Sequence, residues 1–385
     1  NRSLPWGLVL LSIMGTQASA ITFLSAPGQA YTDGMRFVQY YFGLPLAMIV
    51  ICIFFVPIFS RLKVYTAYEY LENRFDSKTR TLTSFFFFLQ RGLSSGISVF
   101  APSIILSSLF GWNIYYTNIL MGGLLIIYTM SGGAKAVAYT QQLQLIIIFT
   151  GMFLAAYMVV NMLPDNVSFT DALEVSGKMG KLNVITTGFE NGKFNWSDQY
   201  NLFSGLIGGF FLALSYFGTD QSQVGRYLTA KSLKQSRMGL LMNGFVKIPM
   251  QFGILLIGVL VFFFYPLNNV PIFFNDVQLK KLESSVYKDS LAIATTQYEA
   301  ITELKQKAVV DYSAASDLND KVAKAASMNI LEGLQKQSDS LRKSVKGWLA
   351  SKEVGGDNND TNYIFLRFVV DNLPVGLVGL LIAII

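Results

Sequence analysis

The chain contains no histidine and a single cysteine. The first absence removes Ser-His-Asp catalysis, His-ligated zinc and imidazole proton relays. The second rules out an intramolecular disulfide, and Cys52 itself sits in an apolar run. Charge is scarce as well. Asp, Glu, Lys and Arg make up 14% of the 385 residues, against 52% hydrophobic and 14% aromatic. That is too oily and too poorly charged for a soluble domain of this size. The net charge of +6 is small and scattered, so it carries no nucleic-acid signal. No nucleophile–base set is visible, which sets an enzyme aside. The chain begins at Asn1 and ends inside the apolar run GLVGLLIAII, so both ends read as cut.

What the chain does have is long apolar stretches. Several approach or exceed the ~20 residues that cross hydrocarbon. Spans fall at about 5–27, 35–60, 82–110, 114–131, 140–163, 200–227, 236–265 and 363–385. The organisation expected is all-α and polytopic: residues 1–265 hold spans one to seven, 266–362 form a helical extracytoplasmic insert, and 363–385 begin span eight. The loop after span two carries Arg61, Lys63, Arg74, Lys78 and Arg80; Lys135 follows span four; Arg226, Lys231, Lys234 and Arg237 follow span six. The connection 164–199 instead has three Lys against five acids. Cationic and non-cationic loops alternate, which puts the cationic ones in the cytoplasm and the insert outside. The insert changes composition. Leu279, Leu282 and Val286, then Ile301, Leu304 and Ala308, recur at helical spacing, as one or two surface helices, either a solvated hairpin or a partner-binding arm.

Two spans are interrupted by polar residues. LSYFGTDQSQVGRYLTAKS (214–232) dissolves an apolar run into Gly, Thr, Asp, Gln and Ser. SIMGTQASAITFLSAPGQAY (12–31) does the same with Gly15, Thr16, Gln17, Ser19 and Thr22. Irregular backbone at membrane depth must line a cavity or be buried in protein. Interrupted spans at corresponding positions of two halves point to a transporter site. The simpler alternative is that small residues in span one allow close helix packing.

The same residues carry a resemblance. SGGAKAVAYTQQLQ (131–144), YFGTDQSQVGRYLTAKS (216–232), YTAYEYLENRF (65–75) and LPVGLVGLLIA (373–383) together resemble segments of the sodium/solute symporter family. The resemblance implies the inverted-repeat fold of the leucine-transporter type, five helices plus five, here truncated. It implies a sodium ion held by the main-chain carbonyls of Gly15 and Ala18, with the helix-eight oxygens beyond Ile385. Where the family carries Trp-Thr-Asp at the start of helix five, this chain has Tyr139-Thr140-Gln141, which puts a second cation site in doubt. Tyr216 occupies the position of an aromatic that closes the solute site, and Lys247 matches a lysine of helix seven. The helix-two positions that bind sugars fall on Tyr41 and Leu44, so a sugar is not supported.

Ionisable residues inside spans are functional candidates by default. Arg91, in FFFFLQRGLSSGISVF (85–100), is either a bidentate clamp for an anionic solute or a structural partner of Asp220 or a carbonyl. Snorkelling to the inner face is the third reading. Asp220 bonds Arg91, Arg226 or freed amides, or serves a cation directly. Lys247 is a solvated or gate-pairing residue, or a solute ligand. Arg367 and Asp371, four apart, form a helical pair. Phe85–Phe88 face lipid. The expected solute-binding set is Gln17, Ser19, Arg91, Tyr216, Asp220 and Lys247. The function expected is a sodium-coupled symporter in the cell (inner) membrane, importing a small polar solute, anionic on the clamp reading of Arg91. The alternatives are a solute sensor of the same fold attached to a signalling domain and a proton-coupled symporter.

Overall fold

A computed structural model describes residues 4–17, 21–62, 66–190, 192–268 and 270–384. Among these the chain is helical, apart from one short hairpin in which Phe189–Glu190 pairs antiparallel with Lys193–Phe194 and an isolated bridge between Leu4 and Ala230.

Helix α1 is described over Trp6–Gln17. A π-turn, Ile21–Ser25, and α2 (Ala26–Asp33) follow. A 3-10 turn, Gly34–Tyr41, leads into α3 (Leu44–Val50), a second π-turn, Ile51–Phe55, and α4 (Val56–Arg61). Both π-turns run up to a proline in the first turn of the next helix, Pro27 and Pro57. A proline has no N–H to give the preceding turn, and the widened turn absorbs the lost bond. Among the described residues four helical stretches are long and apolar enough to cross a membrane: Thr22–Arg61, Ile114–Ser131, Thr140–Asn161 and Leu233–Leu267. Trp6–Gln17 and Ser204–Thr219 are apolar but shorter; the second ends where Asp220 leaves helical geometry.

Capping side chains set the starts of the next helices. Thr66 caps α5 (Ala67–Arg74), Asp76 caps α6 (Ser77–Phe110), and Asn113 caps α7 (Ile114–Asn161). Gly111, at φ +67°, ends α6 in the left-handed conformation that favours glycine. The connection expected at Lys135 is helical. At ~1.5 Å per residue α7 is about 72 Å long, over twice the ~30 Å hydrocarbon thickness. Residues 129–139 hold no proline, and Ala-Lys-Ala favours continuation past Gly132-Gly133. The charge asymmetry therefore rests on the other two cationic loops.

Helix α8 (Phe169–Lys178) opens with a Ser168–Asp171 capping box. The second interrupted span is α9 (Gly209–Thr219) and α10 (Gln221–Leu228), preceded by a π-turn at Ser204–Gly208. Gly205 and Gly209 lie against the carbonyls of Gln39 and Tyr40, where a Cβ would fall 2.1 and 2.4 Å from the oxygen. Small residues one turn apart thus let this span meet the backbone before α3. Helix α11 (Leu233–Phe264) runs parallel to the first span. Its Gly239 packs on Trp6 and Val9, and its Gly258 on Pro27. Two apolar clusters form along α11. One joins Leu240 to α1, α3, α4, α9 and α10; the other joins residues 254–264 to α2, α7 and the chain after 360.

The insert has three helices, α12 (Asp276–Glu283), α13 (Lys288–Asp317) and α14 (Lys321–Leu349). Leu282 and Ala308 are buried, whereas Val286 and Leu304 are exposed. The hairpin of α13 and α14 is docked rather than free. Ser313 donates to Asp171 at 2.7 Å, and Lys178 to the Tyr312 hydroxyl at 3.0 Å. Lys324 donates to Glu174 at 2.6 Å, and that bond, with Lys178 beside it, holds the Glu174 carboxyl down to about 2. At the other end Asp360, fully buried, takes Arg342 at 2.6 Å and Lys346 at 2.9 Å.

The segment expected to begin span eight at 363 is two helices, α15 (Thr361–Asn372) and α16 (Val375–Ile384). Pro374 forces Leu373 into an extended conformation, ψ 153°, and ends α15. The apolar span starts at Val375. Arg367 pairs with Asp371 as its spacing requires, and also with Asp276.

Candidate functional site

A cavity of about 440 Å³ lies where the two interrupted spans, α6 and α11 meet. Gln17, Arg91, Tyr216, Asp220 and Lys247 all line it. Ala18 and Ser19 lie outside the described residues. Gly15 is buried against α7: a Cβ there would meet Gln141 Cβ at 3.2 Å. The Gln141 amide oxygen is buried with no hydrogen-bond partner among the described residues.

The α9–α10 joint is a capping device. Asp220 leaves helical geometry (ψ 115°) and accepts from the Ser222 N–H at 2.8 Å, which starts α10. Arg91 on α6 reaches across to this joint. Its guanidinium pairs with the Asp220 carboxylate and donates to Ser222 Oγ at 2.6 Å. The ion pair expected for Arg91 as one reading is present, and Arg91 still lines the cavity. The guanidinium also lies 5.8 Å from the Phe87 ring centre. Asp220 does not bond Arg226, which donates instead to Ser12 Oγ at 3.2 Å. Tyr216 is held by Gln223, whose Nε2 donates to the phenol oxygen at 2.7 Å.

Lys247 has a different environment. It is 3% exposed, and its ammonium lies 5.7 Å from the Tyr41 ring centre. Among the described residues no carboxylate pairs with it. The cavity wall thus holds two cations against one carboxylate, and the uncompensated charge belongs to Lys247. An unpaired buried ammonium is costly, so a fixed anion-attracting charge sits at the α11 face of the cavity. Pro249, two residues on, also removes one N–H from the α11 ladder at this level. The amide Nε2 of Gln17 is buried without a partner among the described residues.

Sequence reasoning misses part of the wall. Ser94 and Ser98 line the cavity with Arg91, and their spacing on α6 places all three on one face. Tyr41 and Leu44 also line it, so an aromatic ring and an alkyl chain stand at the helix-two positions. No sequence pattern marks the hold of Gln223 on Tyr216. Phe85, Phe86 and Phe88 are exposed on α6, as lipid-facing residues would be.

A family model, "Sodium:solute symporter family", matches residues 1–283. The human "Sodium/iodide cotransporter" is 28% identical over 277 residues, 68% of this chain and 39% of that protein. The Xenopus laevis "Sodium-coupled monocarboxylate transporter 1" is 28% identical over 250 residues, 63% of this chain and 38% of that protein. The "Putative sodium-dependent multivitamin transporter" of Drosophila melanogaster is 30% identical over 251 residues, 62% and 38%. The chain thus spans about two-fifths of the length of the curated relatives it matches. A solved structure titled "Substrate-bound outward-open state of a Na+-coupled sialic acid symporter reveals a novel Na+-site" superposes with TM-score 0.60 at 21% identity, covering 99% of this chain and 73% of that one. The fold is accordingly the leucine-transporter-type inverted repeat, truncated, in a multi-pass membrane protein. A chain matched over residues 1–283, with the polar stretches of its first and sixth spans lining one cavity, belongs to the sodium:solute symporter family.

Proposed function

We propose that this chain forms the core of a sodium-coupled symporter of the cell (inner) membrane, which imports a small anionic solute through the cavity between α1, α6, α9 and α11. The observation that carries this reading is the unanswered charge of Lys247 on the cavity wall. Arg91 also lines the cavity but is paired with Asp220, so the anion-binding role is assigned first to Lys247. Iodide and monocarboxylate, the solutes named for two of the relatives, are both anions, which supports the same reading.

Sodium is the co-transported ion. In this account it is held by the main-chain carbonyls of Gly15 and Ala18, in the polar stretch of the first span. An interrupted helix frees carbonyl oxygens, the hard ligands that a small hard cation prefers. The unpartnered Gln141 oxygen, on the residue that faces Gly15, is of the same chemical kind. Sodium bound first adds positive charge close to where the anion arrives. Each then favours the binding of the other, and that coupling is reciprocal. Gln17 lines the solute site, and Ser19 belongs to the same stretch. Tyr216 closes the site until the bundle rearranges.

The test is uptake into vesicles by the full-length protein. Uptake should rise with an inward sodium gradient and collapse when choline replaces sodium at a fixed pH gradient. Uptake that ignores sodium and follows the pH gradient overturns the assignment, and makes Asp220 the first carboxylate to examine.

A further inference from the structure

Between its two apolar clusters, α11 carries more polar side chains than the cavity uses. Asn243, Lys247 and Gln251 recur every four residues, and Ser236 stands seven before Asn243, so the four share one face. All are buried, and only Lys247 lines the cavity. Both amide atoms of Asn243 and the hydroxyl of Ser236 lack a hydrogen-bond partner among the described residues. So do the Tyr227 hydroxyl and the Gln223 amide oxygen on α10, residues with 0% exposure. A buried polar atom left unpaired is costly. A group of them on packed helices is met by water or by a passing ligand.

The helix register says where these groups lie. Gly239 rests on Trp6 and Val9, and Gly258 on Pro27. Asn243 is therefore beside α1, on the Trp6 side. It lies beyond Lys247 toward the end of α11 that carries Lys234 and Arg237. Helix α10 packs against the same part of α1, where Arg226 donates to Ser12. Gln223 is the residue that holds Tyr216. When Tyr216 moves away, the Gln223 Nε2–H loses its acceptor.

We propose that Asn243, with Tyr227 and Gln223, forms a second, transient solute site between Tyr216 and the basic end of α11. It rests on the reading of the cavity as the solute site. Its ligand is the same anionic solute. Two amides and a phenol offer N–H and O–H donors but no fixed positive charge. A carboxylate or halide is therefore welcomed there without being retained, which suits a step on the way out. Displacing Tyr216 both opens the route and frees the Gln223 donor at its entrance.

The experiment uses full-length protein freed of other reactive cysteines, Cys52→Ser included, with Asn243→Cys as the only target. Everted vesicles are treated with an anionic and a cationic methanethiosulfonate, and Leu255→Cys, a fully buried apolar position on α11, is the control. Asn243→Cys should react at least tenfold faster than Leu255→Cys, with the anionic reagent favoured, and should slow when 100 mM sodium is present outside. Asn243→Leu, which keeps the branched side-chain shape and removes both polar atoms, should slow net uptake about tenfold while sodium binding without solute stays within twofold. Asn243→Cys as inert as Leu255→Cys, or Asn243→Leu transporting like the parent, overturns the second site. A parent protein without sodium-dependent uptake is a different result, and strikes at the cavity reading instead.

Discussion

Replacing Asp220 by Asn removes a charge and keeps a cap, because Asn caps a helix about as well as Asp. The variant therefore isolates the ion pair between α6 and the α9–α10 joint. Losing one partner of a fully buried pair costs about 3–5 kcal/mol, and an exposed pair is worth about 1 kcal/mol or less. Asp220 is 7% exposed, but the Arg91 side chain is 33% exposed. Solvent screening of that guanidinium places the coupling at about 1–2 kcal/mol. Asp220→Asn leaves two uncompensated cations, Arg91 and Lys247, on one cavity wall. Arg91→Met leaves a buried carboxylate without its partner. The double variant carries neither defect. In purified full-length protein, thermal loss of the monodisperse species should show each single variant less stable than the parent. The double variant should be more stable than Asp220→Asn alone, recovering the coupling. Additive losses would refute the reasoning, and the joint would then rest on the Asp220 cap alone.

Other outcomes follow from single contacts. Lys305 in the insert is buried, and burial pushes its ammonium down to about 8; the unfolded chain binds that proton up to about 10.4. Stability should thus rise with pH between about 8 and 10.4, by up to roughly 3 kcal/mol, and Lys305→Met should flatten that part of the melting profile. Gln141→Asp places a carboxylate beside Gly15 and should lower the sodium concentration needed for half-maximal uptake several-fold; an unchanged or higher requirement would detach Gln141 from the ion site. Gly28→Ala would put a Cβ 1.9 Å from the Thr361 carbonyl oxygen; it should destabilise by more than the ~1–3 kcal/mol of ordinary overpacking, read as a lower melting temperature.

Much of the site is legible in the sequence because membrane depth exposes misfits. Polar residues inside apolar runs at 12–31 and 214–232 demand a cavity or a protein partner. Arg91 demands a counter-charge, and Asp220 is the carboxylate that answers. Which reading of Arg91 holds depends on a contact 129 residues apart, beyond any local pattern. The importance of Lys247 follows only once Arg91 is seen to be occupied. Other features need geometry. SGGAKA reads as a loop by its glycines and its charge, yet nothing in it ends a helix, and α7 runs through. The break after α15 is written in Leu373-Pro374, but the apolar residues on both sides hide it. The insert reads as a surface hairpin. Its docking depends on Ser313 meeting Asp171, 142 residues away, and on Asp360 gathering two cations.

The central claim is that Lys247 supplies the charge that selects an anion. The most direct measurement compares the full-length parent with Lys247→Gln, which keeps a long polar side chain and removes the charge. Sodium-driven uptake of labelled iodide and of a labelled short monocarboxylate would be measured beside sodium binding without solute. The account predicts that uptake of whichever anion the parent carries falls at least tenfold in Lys247→Gln, while sodium binding stays within about twofold. Undiminished anion uptake by Lys247→Gln, or a parent that carries neutral solutes and refuses both anions, would contradict it.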